Sequence, residues 1–236
     1  MRKKITILGW SILILSLLSL IAVIVIFTVN NKNEANKSMV DFSDVKLLTI
    51  DDLEAMNPDE PVEYRLNENK KIMSIVGTCA EFKIYNSEDA LKAIFALQNI
   101  LTVCDIDNLR LYEEHHEKYT DVYEFEQYVN GVRVYDGVVT VRVYTDTMEA
   151  FVVSSTIDST ITIDTKNKIS KEKAVRILKD QDKFKDIEIA SAELVIYGNR
   201  LSWNFEITHS DISFIIMDAN TGDILNVAYI EAIAKN

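Results

Sequence analysis

Side chains of the kinds that bind metals cluster in the segment Glu113-Glu114-His115-His116-Glu117. A zinc-protease helix needs two histidines four positions apart with a glutamate between them, so that both ligands share one face. Here Lys118, Tyr119 and Thr120 follow His116-Glu117, so the second histidine is missing. Adjacent histidines on an extended segment point to opposite faces and cannot easily bind one ion. The segment therefore predicts a solvated turn beside a strand rather than a metal site.

The third histidine, His209, lies at a predicted hairpin turn next to Ser210 and Asp211. A catalytic triad using Ser210 or Ser213 would need a fixed, water-excluded geometry, which neighbours in a turn lack. The six glycines are scattered and form no phosphate-binding loop. We therefore expect a protein that is not an enzyme, with no catalytic, cofactor-binding or metal-binding residues.

The two cysteines, Cys79 and Cys104, leave two interpretations open. A disulfide between them would close a loop of about 26 residues and stabilise the fold by roughly 3–4 kcal/mol. The alternative is a pair of buried free thiols. In both cases two cysteines are too few for a cysteine-based zinc site.

The charge balance is strongly acidic, with 37 Asp and Glu against 25 Lys and Arg and a formal net charge of −12. Without Arg2, Lys3 and Lys4, the rest of the chain carries 22 basic residues and a net charge of about −15. Nucleic-acid affinity comes largely from neutralising phosphates with cations, so nucleic acid is excluded as a partner. Such a surface is typical of a solvated exterior, or of one that attracts a basic protein or cell-wall cations.

Residues 1–29 predict a cytoplasmic tip and a transmembrane anchor. Three basic residues precede an uncharged run, Ile5–Val29, that is rich in Ile, Leu and Val. As a helix this run would be roughly 37 Å long, enough to cross a ~30 Å hydrocarbon core. The alternative is a cleaved signal peptide, but Phe27-Thr28-Val29-Asn30 lacks a small-x-small cleavage site. Because basic flanks stay in the cytoplasm, we expect a single-pass protein of the cell membrane with extracytoplasmic domains.

Residues 30–61 read as a juxtamembrane linker with one short helix. Thr49 is a suitable N-cap, and Asp51 and Asp52 would fall in the first turn of that helix. Pro58 and Pro61 mark the end of the linker.

Residues 62–163 predict one helix packed against an antiparallel sheet. The helix is expected to begin at Ser87 as its N-cap and to reach Leu101, with apolar residues at 3-to-4 spacing. Asn130-Gly131 is a strong hairpin signal, and Asp136-Gly137 and Thr145-Asp146-Thr147 indicate further turns. The predicted strands are Val62–Leu66, Ile72–Val76, Cys79–Tyr85, Leu109–Glu114, Val122–Val129, Val138–Tyr144 and Ala150–Thr156.

Six tyrosines accompany these strands and look at first like an aromatic platform. Their alternation predicts that most of them pack across strands, while those facing solvent would suit a protein interface. They are Tyr112, Tyr119, Tyr123, Tyr128, Tyr135 and Tyr144.

Residues 164–236 predict a second helix on a second antiparallel sheet, which makes the fold class α+β. Ser170 would cap the helix Lys171–Lys179. Alternation around Trp203 predicts a half-buried strand, in which Ser202 and Asn204 face away from the core. The predicted strands are Ile189–Tyr197, Leu201–Thr208, Ile212–Met217 and Ile224–Ile230.

Two blocks of this sequence resemble the propeptide region of thermolysin- and fungalysin-type secreted metalloproteases. The helix from Ser87, the segment Tyr123–Tyr135 and the strand Val138–Val143 resemble the first unit of that region, the FTP domain. The second block resembles the PepSY domain that follows it; it comprises Ile169-Ser170-Lys171-Glu172-Lys173-Ala174, Leu201–Ile207 and Met217–Leu225. The chain differs from those precursors in that no catalytic domain follows within its 236 residues.

The resemblance implies a bacterial envelope protein that inhibits, or assists the folding of, an exported thermolysin-like peptidase in trans. The rival hypothesis is a non-inhibitory envelope module that binds another protein or a wall component, with the same folds serving as a scaffold.

Overall fold

The computed structural model describes residues 40–101, 103, 106–166 and 168–230. The helices found among them are α1 (Ile50–Met56), α2 (Ser87–Ala96), α3 (Lys171–Lys179) and a 3-10 turn at Ile106–Asn108. The strands are β1 (Glu63–Leu66), β2 (Ile72–Val76), β3 (Leu109–His116), β4 (Thr120–Val129), β5 (Val132–Tyr144), β6 (Ala150–Ser155), β7 (Glu188–Tyr197), β8 (Arg200–Thr208), β9 (Ile212–Asp218) and β10 (Ile224–Tyr229).

The α+β class is confirmed, but the strands form one ten-stranded sheet instead of two separate sheets. In the first half, β1, β2, β6, β5, β4 and β3 pair antiparallel in that order. In the second half, β7, β8, β9 and β10 do the same. A short parallel pairing of β5 with β7 joins the halves at Arg133–Val195 and Val134–Ile196.

The strand β5 makes this junction possible because it is thirteen residues long and its pairing changes along its length. Its second part pairs with β6, and its first part pairs with β7. Between them the register against β4 shifts opposite Gln127, and Asp136 takes a positive φ of 62°. The turn predicted at Asp136-Gly137 is therefore a bulge inside one strand, which re-aims the strand locally.

A bidentate ion pair lies at the junction. The Nη2 and Nε atoms of Arg133 donate to the two carboxylate oxygens of Glu193 at 2.7 and 3.2 Å, and its Nη1 donates to Glu126 Oε1 at 3.2 Å. The side chains of Arg133 and Glu126 are largely buried, whereas that of Glu193 is half-exposed. Burial raises the pKa of Glu126 above its ordinary value, although the Arg133 charge acts in the opposite direction. One guanidinium therefore ties β4 and β5 to β7.

The first core lies between α2 and the first half of the sheet. Apolar residues of α2, such as Ile94, share a buried cluster with Ile75, Val141 and Val153 of the strands. The N-cap of α2 is Asn86, whose Oδ1 accepts from Asp89 N, so the prediction of Ser87 as the cap is wrong by one residue. The helix also ends earlier than predicted, because the chain forms turns from residue 97.

The short helix α1 forms as predicted, with a capping box. The Thr49 side chain accepts from Asp52 N, and the Asp52 carboxylate accepts from Thr49 N. Leu53 of α1 reaches the first core and is completely buried.

Cys79–Tyr85 is not a strand, contrary to prediction. The segment follows β6 irregularly, with Cys79 N donating to Ala150 O and Ile84 N to Met148 O. Cys79 is a buried free thiol, and burial raises its pKa to about 12. A free thiol at Cys79 contradicts the disulfide interpretation and agrees with the alternative of buried free thiols; Cys104 itself lies outside the described residues.

The second core lies between α3 and the second half of the sheet. Ala174 and Leu178 of α3 join Trp203 and Phe205 of β8 in one buried cluster. The N-cap of α3 is Ser170, as predicted.

The strand β8 is buried on both faces, which corrects the expectation of a half-buried strand. Ser202 and Asn204 are 0% and 7% exposed, although they point away from α3. The reason is a layer of aromatic rings on that face: Tyr135 of β5 packs against both Tyr197 and Phe214, with ring centroids 5.6 Å apart in each case.

Within the described residues, no helix is long and apolar enough to cross a membrane. The predicted anchor at Ile5–Val29 lies outside that part of the chain, so it stays a prediction.

We expect Gly131→Val and Gly222→Val each to lower the melting temperature. Both glycines have positive φ, 78° and 84°, which a β-branched residue adopts at a cost of about 1–2 kcal/mol. A shift of several degrees should result, measured by thermal unfolding followed by circular dichroism.

The two sites differ in a way that provides a control. A Cβ at Gly131 would meet no atom within 4 Å, whereas one at Gly222 would meet Ile177 Cδ1 at 3.1 Å. Gly131→Asn should therefore lower the melting temperature much less than Gly131→Val does, because asparagine tolerates this conformation. The advantage of Gly222→Asn over Gly222→Val should be smaller. An unchanged melting temperature for both valine variants would contradict the hairpin geometry.

We expect Arg133→Met to lower the free energy of unfolding by about 1–3 kcal/mol, because Glu126 remains buried without its cation. The pKa of Glu126 is already raised in the fold, so its contribution to stability is lost as pH rises through that pKa. Without Arg133 the pKa rises further, so the deficit should be larger near neutral pH than near about pH 4. Urea unfolding at both pH values measures it.

Two further variants serve as controls for this prediction. The double variant Arg133→Met/Glu126→Gln should recover part of the loss, because no buried carboxylate remains. Arg133→Lys should be intermediate, because an ammonium keeps the charge but not the planar fork. Equal deficits at both pH values would show that the pairing with Glu126 contributes nothing.

Candidate functional site

The strand β3 presents the most exposed edge of the sheet. Among the described strands it pairs with β4 alone, which leaves its other edge unpaired. After Leu109, all of its remaining residues are exposed. A strand edge of this kind offers unpaired backbone N–H and C=O groups to another chain.

The other two edges of the described sheet are less suited to pairing. At one end, β1 is only four residues long and follows Pro61, and short strands and proline both protect edges. At the opposite end lies β10, which is six residues long and mostly half-buried. The eight residues of β3 therefore make the longest and most accessible edge.

The turn between β3 and β4 fixes which backbone groups face outward. Glu117 N donates to Thr120 O at 2.9 Å, so this pair belongs to the hydrogen-bonded ladder. Bonded pairs alternate along antiparallel strands, and His115 pairs with Val122 two residues further on. The backbone groups of Glu114 and His116 consequently point to the unpaired edge.

The two adjacent histidines contact different carboxylates, as opposite faces of a strand require. His115 Nε2 lies 3.2 Å from Glu113 Oε2. His116 lies between two acids, with Nδ1 2.9 Å from Asp121 Oδ1 and Nε2 3.1 Å from Glu114 Oε1. The hydrogen bond to Asp121 raises the pKa of His116 above its ordinary value. The described residues hold no cluster of three or more His, Cys, Asp or Glu that could bind a metal ion.

The six tyrosines divide into a packed set and an exposed set. Tyr123 is 1% exposed, Tyr128 lies under the Arg110 guanidinium at 4.0 Å, and Tyr135 packs in the aromatic layer. Tyr112 and Tyr119, on β3 and in its turn, are 62% and 68% exposed, and Tyr144 is also exposed. The exposed set thus lies on or next to the β3–β4 hairpin, where Leu111 adds exposed apolar surface.

The structure does not bring His209 into a triad. His209 lies in a turn with φ of 54°, 4.0 Å from Glu188 Oε2. Ser210 Oγ donates to the neighbouring Asp211, and Ser213 Oγ donates to Ala228 O.

The sequence predicts a strand that ends at Glu114 and a solvated turn around the two histidines, so it misses the role of the segment Glu113–Glu117. The segment continues β3 to His116, and only then does the chain turn. The missed signal was polarity at consecutive positions, which means that neither face of the strand is buried, a pattern typical of an edge.

In comparisons with known proteins, one family model matches a stretch in the second half of the chain. Residues 168–228 match the PepSY family model, described as peptidase propeptide and YPEB domain. No curated protein matches the chain. Among solved structures, the Bacillus megaterium YpeB C-terminal domain is similar, with 19% identity, a TM-score of 0.39, and coverage of 71% of this chain and 75% of that one. The matched residues 168–228, which include α3, β7, β8, β9 and most of β10, are therefore similar to a PepSY domain.

Proposed function

We propose that this protein is a membrane-anchored, extracytoplasmic, propeptide-like regulator of an exported metalloprotease, acting in trans. The match of residues 168–228 to a family described by peptidase propeptides carries the proposal. The resemblance of the preceding residues, above all Tyr123–Tyr135, to the FTP domain supports the metalloprotease class.

The free edge of β3 supports a role in binding another protein. Extended segments can add to such an edge through main-chain hydrogen bonds, while side chains on alternate positions supply specificity. Tyr112 and Tyr119 add exposed aromatic surface of the kind enriched at interfaces. Regulation would take the form either of inhibition or of assistance to folding, since both require binding to the protease.

Membrane anchoring through Ile5–Val29 is the second part of the proposal. An anchor would hold the regulator at a high effective concentration where exported proteases emerge and fold. The three basic residues before this run would stay in the cytoplasm.

The same edge favours one alternative, a non-inhibitory envelope module that binds another protein. Main-chain pairing does not itself require a protease as the partner. Activity measurements distinguish the two functions.

We expect the full-length protein to fractionate with membranes and to begin at or near Met1, because the apolar run is long and lacks a cleavage site. N-terminal sequencing of the membrane and medium fractions tests this. A new start between Thr28 and Ser38, with the protein released into the medium, would disprove anchoring.

We expect the full-length protein in detergent micelles to slow a thermolysin-like peptidase exported by the same organism, or to raise its refolding yield. At micromolar concentration, comparable to a moderate dissociation constant, the rate on a quenched fluorescent peptide should fall by about half. The regulator alone should not hydrolyse the peptide.

An exported serine peptidase assayed in the same micelles is the control, and its rate should not change. If neither inhibition nor better refolding occurs with any exported thermolysin-like peptidase of the organism, the envelope-binding module becomes the better proposal.

A further inference from the structure

We infer that the β3 edge, Leu109–His116, binds an extended lysine- or arginine-rich segment of a partner protein by strand addition. The inference rests on the proposed function in that it names the surface and the kind of segment through which the regulator would hold its partner.

Strand addition requires a long edge with unpaired backbone groups, and β3 has one. The outward groups of Glu114 and His116 are separated by two residues, the repeat with which an added strand would make its hydrogen bonds. A register shift between Leu111 and Glu113 limits regular pairing to the part nearer the β3–β4 turn. The expected contact therefore centres on Glu113–His116.

The charges near this edge select the chemistry of the partner. From Tyr112 to Glu117 there are three glutamates and no lysine or arginine. Asp121 of β4 adds a carboxylate beside His116. The nearest arginine on the same strand, Arg110, is held over the Tyr128 ring. In an added strand, cations at alternate positions lie on one face of the sheet, where they would meet Glu114 and Asp121, whereas Glu113 lies on the opposite face. An acidic strand would be repelled.

Apolar side chains flank the acidic stretch and would add contact area. Leu111 and Tyr112 lie on its N-terminal side, and Tyr119 lies in the turn at the other side. The segment that fits best is therefore one in which basic residues alternate with apolar or β-branched residues, a pattern that also favours the extended conformation.

The experiment uses the full-length protein in detergent micelles and a fluorescein-labelled peptide that alternates lysine with valine. Fluorescence anisotropy should show saturable binding. A glutamate–valine peptide should not bind, because it would face like charge. A lysine–valine peptide with N-methyl groups on alternate backbone nitrogens should also fail, because it keeps the charge but cannot form the ladder.

Variants locate the binding on the protein. Glu114→Lys should weaken binding by at least about tenfold, because it reverses a charge on the face that meets the peptide lysines, and Glu113→Lys, on the opposite face, should weaken it less. Glu68→Lys, in the exposed turn between β1 and β2, makes the same charge change elsewhere and should leave the affinity unchanged. Circular dichroism and melting temperature verify that each variant folds.

A second variant tests the backbone. His116→Pro removes an N–H that points away from β4, so it blocks an added strand while keeping the ladder to β4. It should abolish binding of the lysine–valine peptide. If that variant does not fold, the N-methylated peptide provides the same test from the ligand side.

Three results would overturn the inference: no binding of the lysine–valine peptide, equal binding of its N-methylated form, or equal losses in Glu68→Lys and the edge variants. Because this assay contains no protease, it separates the inference from the proposed function. Protease inhibition that survives in the edge variants contradicts the edge alone, whereas peptide binding without any effect on proteases contradicts the proposed function alone.

Discussion

The arrangement of the sheet depends on the guanidinium of Arg133. The parallel pairing of β5 with β7 covers only two residue pairs, so side-chain contacts across the junction reinforce it. Arg133 reinforces it by donating in bidentate fashion to Glu193 and singly to Glu126. The planar fork of arginine suits this geometry, whereas the point charge of lysine does not. Burial raises the pKa of the Glu126 carboxylate, and the contact with Arg133 offsets part of the cost of burying it.

The PepSY region depends on residues outside it for one of its faces. α3 covers the face that carries Trp203 and Phe205. The opposite face is covered in part by Tyr135, which packs on Tyr197 and Phe214. Tyr135 reaches that position because it follows Arg133 by two residues on β5 and so points to the same side of the strand. Beyond the bulge at Asp136, the rest of β5 pairs with β4 and β6 in the first half of the sheet. The ion pair at the junction and the aromatic layer are therefore both supplied by one short stretch of β5.

Local patterns predicted most elements, and non-local pairing explains what they missed. Helix α3 and strand β2 have the predicted bounds, because capping by Ser170 and alternation in Ile72–Val76 are local signals. The β5–β7 junction has no such signal, since two parallel pairs between Arg133–Val134 and Val195–Ile196 leave no periodicity. The segment Cys79–Tyr85 has the composition of a strand but bonds irregularly beside β6. For the candidate site, the sequence identified the acidic cluster and the tyrosines, and the pairing order of the strands shows that the acidic cluster and the exposed tyrosines lie on or next to an edge.

An exposed eight-residue edge can bind a partner, but it can also lead to self-association, because the same backbone groups can pair with a second copy of the chain. Charge distinguishes the two cases. Pairing of β3 with β3 of another copy would bring Glu113 and Glu114 of both copies close together, and directly opposed like charges destabilise a sheet. A basic strand meets no such repulsion. Placing carboxylates on this edge therefore disfavours self-association while it leaves the edge open to a cationic segment, so a single feature of β3 both protects the edge and gives it selectivity.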